Sequence, residues 1–116
     1  MSAPLGSCPF CQRIKAGDYV GYDRGCVGFE PLNPVTPGHM LFVPRAHVWS
    51  AAHAPWITAR VFEVASVFAA ASLDDFNLIT SGGEAATQTV RHLHVHYVPR
   101  REGDGLALPW TGQVKS

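Results

Sequence analysis

The sequence has no excess charge of either sign, because nine lysines and arginines balance nine aspartates and glutamates among its 116 residues. A neutral chain generates no field that would attract nucleic acid or an anionic membrane, so we expect neither as a partner. Any anionic ligand must then be held by local groups. Cysteine is also scarce, since three residues, an odd number, argue against a disulfide framework.

Long hydrophobic runs are missing as well. The first ten residues, MSAPLGSCPF, have neither the basic start nor the apolar stretch of a secretory signal. No segment approaches the roughly 20 apolar residues that a membrane-spanning helix requires. We therefore expect a cytoplasmic protein, and its length favours a single domain over residues 1–116.

Short apolar segments between turns predict several strands and one helix. Pro55 suits the first turn of a helix, and apolar residues recur at helical spacing from there to about Ser72. This apolar face consists of Ile57, Val61, Val64, Phe68 and Ala71. Strands are predicted at 18–23, 26–30, 39–44, 76–81 and 89–99. The expected fold class is α+β, an antiparallel sheet of about five strands with one main helix packed on it, followed by an irregular tail at 102–116.

Three histidines alternate with apolar residues in RHLHVHYVPR, residues 91–100. Successive side chains of a strand point to opposite faces, so these histidines should form one row, each roughly 6–7 Å from the next. The row is His92, His94 and His96, and the row facing the core is Leu93, Val95 and Tyr97. Imidazole can act as base, nucleophile or metal ligand near neutral pH, so the row predicts a functional site.

A second cluster, Cys8-Pro-Phe-Cys11, has the spacing that lets two thiolates bind one tetrahedral zinc ion. The redox form of this motif usually opens a helix after a strand, a context that is not evident at this N-terminus. Zinc needs two further nitrogen or sulfur ligands, which must be histidines. The candidates are His39, His47, His53 and the alternating row.

These motifs together resemble a known family. GHMLFVPRAH (38–47) and QTVRHLHVH (88–96) are similar to segments of the histidine triad (HIT) nucleotide hydrolases and transferases. The family signature is His-φ-His-φ-His-φ-φ, with φ apolar, and HLHVHYV (92–98) matches it at every position. The resemblance extends from about residue 8 to residue 101 and implies a HIT-like α+β domain.

The resemblance implies covalent chemistry at the α-phosphate of an AMP-amine or a dinucleoside polyphosphate. His94, the middle histidine, is the implied nucleophile, and its nucleotidyl adduct would be resolved by water or another acceptor. Its other ring nitrogen must donate to an acceptor such as a backbone carbonyl, which fixes the tautomer. His96 would donate to a non-bridging phosphate oxygen and stabilise the developing charge.

The resemblance also implies the ligands of a structural zinc ion. In members that carry the N-terminal C-x-x-C motif, the ligand positions correspond to Cys8, Cys11, His47 and His92. Four protein ligands close the coordination sphere, so this zinc would tie the N-terminus to the catalytic strand rather than supply hydroxide.

Further positions match those that contact the nucleotide in the family. Ser81, Gln88 and Thr89 correspond to residues near the phosphate or the leaving group, although ordinary turn and strand-start residues would give the same pattern. The apolar wall around the base corresponds to Phe10, Phe29 and Leu32. Core packing explains each of these three equally well, because large apolar residues are usually inside.

Three positions depart from the family pattern. Pro31 stands where many members have an acidic residue or asparagine that holds the ribose hydroxyls, so Asn33 or backbone groups must substitute. Ser81 replaces a common asparagine or glutamine, and Thr87 replaces a usual glycine. Trp110 in the tail either reaches an active site, as happens across the dimer in some relatives, or caps the sheet.

Two other functions stay open on sequence alone. The departures are compatible with a nucleotide-binding module that turns over slowly or not at all. Alternating histidines can also hold a catalytic zinc ion, which would make the chain a metal hydrolase. The resemblance implies a small-molecule nucleotide as the ligand and a homodimer as the assembly.

Overall fold

Five antiparallel strands form one sheet in the computed structural model, which describes residues 5–109. The strands are β1 (Gly21–Asp23), β2 (Cys26–Phe29), β3 (Met40–Pro44), β4 (Asp75–Ile79) and β5 (Val95–Arg100). Their order across the sheet is β1-β2-β3-β5-β4, so β4 and β1 form its edges. Two α-helices pack on it, α1 (Pro9–Lys15) and α2 (Pro55–Ser72). The predicted α+β class with five strands and one main helix is confirmed.

Each face of the sheet has its own apolar core, because side chains alternate along every strand. The larger core lies under α2 and contains Cys26, Met40, Phe42, Leu93, Val95 and Tyr97. The smaller core lies under α1 and contains Cys8, Phe10, Val27, Phe29, Leu41 and Val43. Full burial of a large apolar side chain stabilises the fold by roughly 1.5–3 kcal/mol. Phe10 is the buried residue of α1, so burial of its ring is the main anchor of this helix.

Helix α2 has the predicted bounds, but its buried stripe differs from the predicted one. The helix buries Val61, Ala65 and Ala69 against the sheet, while Phe68 and Ala71 are exposed. Apolar residues surround most of the second half of this helix, so their spacing does not single out one face. Ala65 and Ala69 lie on the face of α2 that packs against the sheet, where their small side chains allow a close approach. None of the helices within residues 5–109 combines the length and apolar character needed to cross a bilayer.

The predicted strand at 89–99 is wrong in its first half, because β5 begins only at Val95. Before that point the backbone bonds to loops rather than to a neighbouring strand. The N–H of Leu93 donates to the carbonyl of Val48 (2.6 Å), and the hydroxyl of Thr80 donates to the carbonyl of His94 (2.8 Å). The alternation nevertheless persists, since Leu93, Val95 and Tyr97 are all buried in the larger core as predicted.

Helix α1 is absent from the sequence prediction. Pro9 occupies its first turn, where a missing N–H costs little, and Cys8 precedes it as the N-cap. The Cys8 Sγ accepts the N–H of Cys11 (3.2 Å). The C-x-x-C motif therefore forms the first turn of a helix, with both thiols on the side that faces the sheet.

Candidate functional site

His94 lies just before β5 and is almost completely buried. Its Nδ1–H donates to the backbone carbonyl of His92 (2.8 Å), which leaves the lone pair on Nε2 in the neutral ring. Burial lowers the pKa of His94 below the ordinary histidine value, although the bond to that carbonyl acts in the opposite direction. The ring is therefore neutral near pH 7, and its free nitrogen is nucleophilic.

His96 is held in the complementary tautomer by a second histidine, His39. The N–H of Val35 donates to Nδ1 of His39 (3.1 Å), so a neutral His39 carries its proton on Nε2. That Nε2–H donates to Nδ1 of His96 (2.9 Å), which puts the His96 proton on its own Nε2. The rings of His94 and His96 are 5.0 Å apart between centroids. One free acceptor nitrogen and one free N–H donor thus stand side by side.

Burial also lowers the pKa of His96, to about 4, and the neighbouring His94 and His39 act in the same direction. The pKa of His39 is lowered as well, first by burial and then by His94. Protonation of His96 would place two N–H groups against each other across the 2.9 Å contact with His39, and protonation of His39 would place its Nδ1–H against the N–H of Val35. The neutral state is therefore the state that the hydrogen-bond chain from Val35 requires.

The first of two cavities that meet at His96 is here called the His94 cavity. It has a volume of about 390 Å³ and contains both His94 and His96. Its other walls include Phe10, Arg13, Leu32, Asn33, Thr89 and Val90. The Phe10 ring meets His94 edge-on, with centroids 5.1 Å apart. Apolar walls with a few polar groups at one end are typical of a small-molecule site.

The second cavity, here called the tail cavity, has a volume of about 270 Å³. It is lined by β4, β5 and the segment 106–108, and it contains His96 but not His94. Ser81, a predicted contact residue, lines this cavity, and so does Thr87, which replaces the usual glycine. Trp110, which the sequence places either at the site or on the sheet, lies outside the described residues.

The predicted base-wall and phosphate residues do not all reach the His94 cavity. Phe10, Leu32 and Thr89 line it. Phe29 is fully buried beneath the Arg13 guanidinium, whose carbon stands 3.9 Å from the ring centroid, and Phe29 supports Phe10 from below at 5.3 Å. A direct contact between Phe29 and a ligand therefore stays a prediction that this geometry does not favour.

Gln88 is buried and braces the loop in front of the histidines. Its Nε2 donates to the carbonyls of Trp49 (2.6 Å) and Val90 (3.1 Å), and its Oε1 accepts the N–H of Gly83 (2.9 Å). Both amide hydrogens are thereby used by the backbone. The arrangement explains why a glutamine at this position shapes the loop, while its predicted contact with phosphate stays a prediction.

Four predicted metal ligands come together between α1 and the approach to β5. The donor atoms of Cys8, Cys11, His47 and His92 all lie within 4.8 Å of one another. Nδ1 of His92 is 3.4 Å from the Cys8 Sγ, and Nδ1 of His47 is 3.2 Å from the Cys11 Sγ. Two sulfur and two nitrogen donors at such distances can hold a metal ion.

The surroundings of the cluster fit a cation. Nε2–H of His92 donates to the carbonyl of Pro44 (2.8 Å), which turns Nδ1 toward the sulfurs as an acceptor. Burial raises the pKa of the Cys11 thiol to about 11, and the adjacent Cys8 adds to this effect. A packed thiol that resists ionisation on its own is stabilised as a thiolate when a divalent ion binds to it.

Two features of the site are missing from the sequence prediction. The sequence lists His39 among several zinc candidates. In the structure its Nε2 bonds to His96, and His39 is not one of the four clustered ligands. Arg13 forms a wall of the His94 cavity, and α1 carries it there. Pro9 was the available signal for this helix, since proline favours the first helical turn.

Comparison with known proteins supports the family. The sequence profile of the HIT domain matches residues 13–103. An adenosine 5′-monophosphoramidase of Saccharomyces cerevisiae is 30% identical over 97% of this chain and 77% of its own, and an adenylylsulfatase of Arabidopsis thaliana is 31% identical over 85% and 55%. A zinc-bound histidine triad protein from Mycobacterium smegmatis superimposes with a TM-score of 0.79 at 34% identity, over 90% of this chain and 82% of its own. The chain therefore belongs to the HIT domain family, which includes nucleotide hydrolases.

Proposed function

We propose that the protein is a nucleotidyl hydrolase or transferase that acts through a covalent nucleotidyl-histidine at His94. The observation that carries this proposal is the pair of tautomers at the end of the His94 cavity. His94 offers an unprotonated Nε2, and His96 offers an N–H, each fixed by a hydrogen bond on the opposite ring nitrogen. A nucleophile beside a donor for a phosphate oxygen is what displacement at phosphorus requires.

In the first step the Nε2 lone pair of His94 forms a bond to the α-phosphorus while the bond to the leaving group breaks. The leaving group takes the electron pair of that bond and a proton from solvent, and the water or other acceptor that attacks in the second step returns a proton to solvent. His96 donates to a non-bridging oxygen and stabilises its charge as the step proceeds. In the second step water or another acceptor attacks the same phosphorus, and His94 is released in its neutral tautomer.

The nucleoside occupies the His94 cavity in this proposal. Its base packs between Phe10 and Leu32, and Thr89 donates to a phosphate oxygen. Pro31 also lines the cavity, so it offers the ribose no side-chain hydrogen bond there, whereas the amide of Asn33 can provide one. The relatives named as a monophosphoramidase and an adenylylsulfatase support an adenosine nucleotide as the substrate class.

Zinc is the metal that we propose for Cys8, Cys11, His47 and His92, because two thiolates and two imidazoles suit tetrahedral zinc. With four protein ligands the ion supplies cross-linking rather than a reactive hydroxide. Phe10 sits two residues after Cys8, in the same helix turn, and touches both Phe29 and His94. The ligands would thereby hold a wall of the His94 cavity in place.

A mass measurement on the intact protein tests the covalent step. Wild-type protein is mixed briefly with an adenosine phosphoramidate, quenched without acid, and digested to locate any added mass. We expect an adenylyl group on the peptide containing His94. Binding of AMP by calorimetry with no adduct and no turnover would instead identify a non-catalytic nucleotide-binding module.

Undigested protein in a native mass spectrum tests the proposed homodimer. The outer edge of β4 has no partner strand within the described residues, and Phe76 on that strand is 43% exposed. Leu73, at the end of α2, is almost fully exposed next to it. A second copy would cover these apolar groups, and a monomeric spectrum at micromolar protein would contradict the assembly.

Turnover is expected to fall with acid only below the ordinary histidine pKa. A group with a lowered pKa takes up its proton only at lower pH, so His96, at about 4, stays a neutral donor down to mildly acidic conditions. The pKa of the nucleophile His94 is also lowered by burial, so we expect kcat/KM at pH 6.5 to remain above about half of its value at pH 7.5. Circular dichroism at each pH separates titration from unfolding, and a midpoint at or above 6.5 would contradict the assignment.

A further inference from the structure

Arg13 is the one permanent charge among the described residues that line the His94 cavity. These described walls include no aspartate or glutamate. Their three histidines are His39, His94 and His96, and the hydrogen bonds of each ring fix it in a neutral tautomer. A nucleoside in this cavity therefore meets a cation and no carboxylate.

Arg13 is held where α1 meets the loop that begins at Pro31. Its Nη1 donates to the carbonyl of Glu30 (2.8 Å), the residue just before that loop. Arg13 also lies three residues after Phe10 in α1, and helix residues three apart share one face. The guanidinium and the Phe10 ring thus belong to the same side of the cavity.

The proposed position of the nucleoside leaves its ribose at this junction. With the base between Phe10 and Leu32 and the α-phosphorus at His94, the sugar is the remaining part, and its 2′ and 3′ oxygens are those that do not carry the reacting phosphate. In dinucleotide-binding proteins a carboxylate accepts a bond from a ribose hydroxyl, whereas an arginine accommodates a phosphate there. The side chain of Pro31 offers no acceptor, and Arg13 offers the cation.

The guanidinium of Arg13 keeps donors for an anion. Its Nε donates to Asp18 (3.0 Å) and its Nη1 to the Glu30 carbonyl, and neither bond uses Nη2. The Asp18 side chain is 66% exposed, compared with 19% for that of Arg13. Water screens so exposed a carboxylate, and ion pairs of this kind are weak. Asp18 therefore orients the guanidinium without cancelling its charge.

We infer that the His94 cavity selects a nucleotide whose ribose carries a second phosphate, on the 2′ or the 3′ oxygen, and that Arg13 binds this phosphate. The inference rests on the proposed function, because it specifies the nucleoside half of the same substrate. A phosphate monoester matches the planar fork of a guanidinium and can accept two of its N–H groups at once. An unmodified ribose leaves that capacity unused.

Three nucleotides test the selection with the full-length protein in a calorimetric titration. They are AMP, adenosine 2′,5′-bisphosphate and adenosine 3′,5′-bisphosphate. We expect one of the two bisphosphates to bind with a Kd about tenfold or more below that of AMP, since bonds between charged groups are the stronger ones. The comparison between the two isomers identifies the oxygen. Binding alone is measured, so the result does not depend on turnover.

A matched pair of variants separates the cavity from a general attraction by positive charge. Arg13→Gln should bring the ratio of the two Kd values, AMP to bisphosphate, to about one. Lys15→Gln removes a cation from the same helix, but Lys15 is exposed and lies outside the His94 cavity. This variant should keep the ratio of wild type. Because each variant supplies its own AMP reference, a general loss of affinity cancels.

Asp18→Asn tests the charge of Arg13 without changing Arg13 itself. The backbone N–H of Asp18 donates to the carbonyl of Arg13 (2.9 Å), and asparagine keeps this bond. The variant removes the carboxylate that competes for the guanidinium. We expect the preference for the bisphosphate to rise by about twofold.

The outcomes are distinct. Equal affinity of the wild-type protein for all three nucleotides would overturn the inference and leave the proposed function standing. An equal loss of preference in Arg13→Gln and Lys15→Gln, or no gain in Asp18→Asn, would also overturn it, because Arg13 would then not be the binding group. No binding of any of the three and no adduct at His94 would remove the proposed function and this inference together.

Discussion

Replacement of His94 by alanine is expected to lower kcat/KM for an adenosine phosphoramidate by about 10³-fold or more. The imidazole provides the only atom that bonds to phosphorus in the proposed mechanism, so no partial substitute remains in the His94 cavity. The variant should also fail to acquire the adenylyl mass. Kinetics with wild-type and variant protein, followed by intact mass measurement, give both results.

The fold should survive this substitution. The His94 ring donates one hydrogen bond, to the carbonyl of His92, and contacts the rings of Phe10 and His96. We expect a loss of about 1–3 kcal/mol in the free energy of unfolding, measured with urea. Equal folding with lost turnover would assign the effect to chemistry rather than to structure.

His53 provides the matched control, because its substitution removes the same ring outside the site. It is exposed and bonds to the hydroxyl of Ser50 (2.7 Å). His53→Ala should keep turnover within about twofold, because the ring lies outside both cavities. The variant should also stay folded, since surface changes rarely alter stability by more than about 0.5 kcal/mol. A His94→Ala protein that retains a tenth of wild-type activity, or that still forms the adduct, would remove His94 from its assigned role.

The sequence predicts most reliably what depends on neighbouring residues. The burial of Leu93, Val95 and Tyr97 follows from their alternation, and the structure confirms it although β5 is shorter than predicted. The acceptor for His94 is likewise local, the carbonyl two residues earlier. Strand length is different, because it depends on which partner strand lies alongside, and the segment before Val95 faces loops instead.

Contacts between distant segments are the part that the sequence leaves out. His39 reaches His96 only because β3 and β5 pair with Leu41 opposite His96, which brings together residues 57 positions apart. The tail cavity depends in the same way on Arg100, whose guanidinium donates to Asp104 and to the carbonyl of Leu106 and so fixes the segment that follows β5. No periodic pattern or motif in the sequence indicates either arrangement, so each can be recognised only when the register of the sheet is known.

Removal of the proposed zinc ion is expected to lower the thermal midpoint of unfolding by more than about 10 °C. A ligand that binds only the folded state contributes about 4 kcal/mol when its free concentration is about a thousand times its Kd. For a chain of this size each kcal/mol corresponds to about 4 °C. Calorimetric scans with and without a chelator measure the shift, and metal analysis of the purified protein identifies the ion.

Cys11→Ser should abolish this sensitivity to the chelator. Cys11 is the better choice of the two cysteines, since the Sγ of Cys8 also caps α1. The variant should unfold at the temperature of the chelated wild type, and it should bind AMP more weakly because α1 no longer holds Phe10 against His94. Turnover that stops as soon as chelator is added, before any unfolding, would instead favour a catalytic metal.

Cys26→Ala completes the comparison, because Cys26 is buried in the core under α2 and is not one of the four clustered ligands. Loss of its thiol can lower the midpoint by itself, but the shift caused by the chelator should equal that of wild type. The decisive quantity is therefore the difference between scans with and without chelator, which cancels any packing effect. An equal chelator shift in Cys11→Ser and Cys26→Ala would show that the metal is held elsewhere, and α1 would then owe its position to the burial of Phe10 and to the contacts of Arg13 with Phe29 and the Glu30 carbonyl.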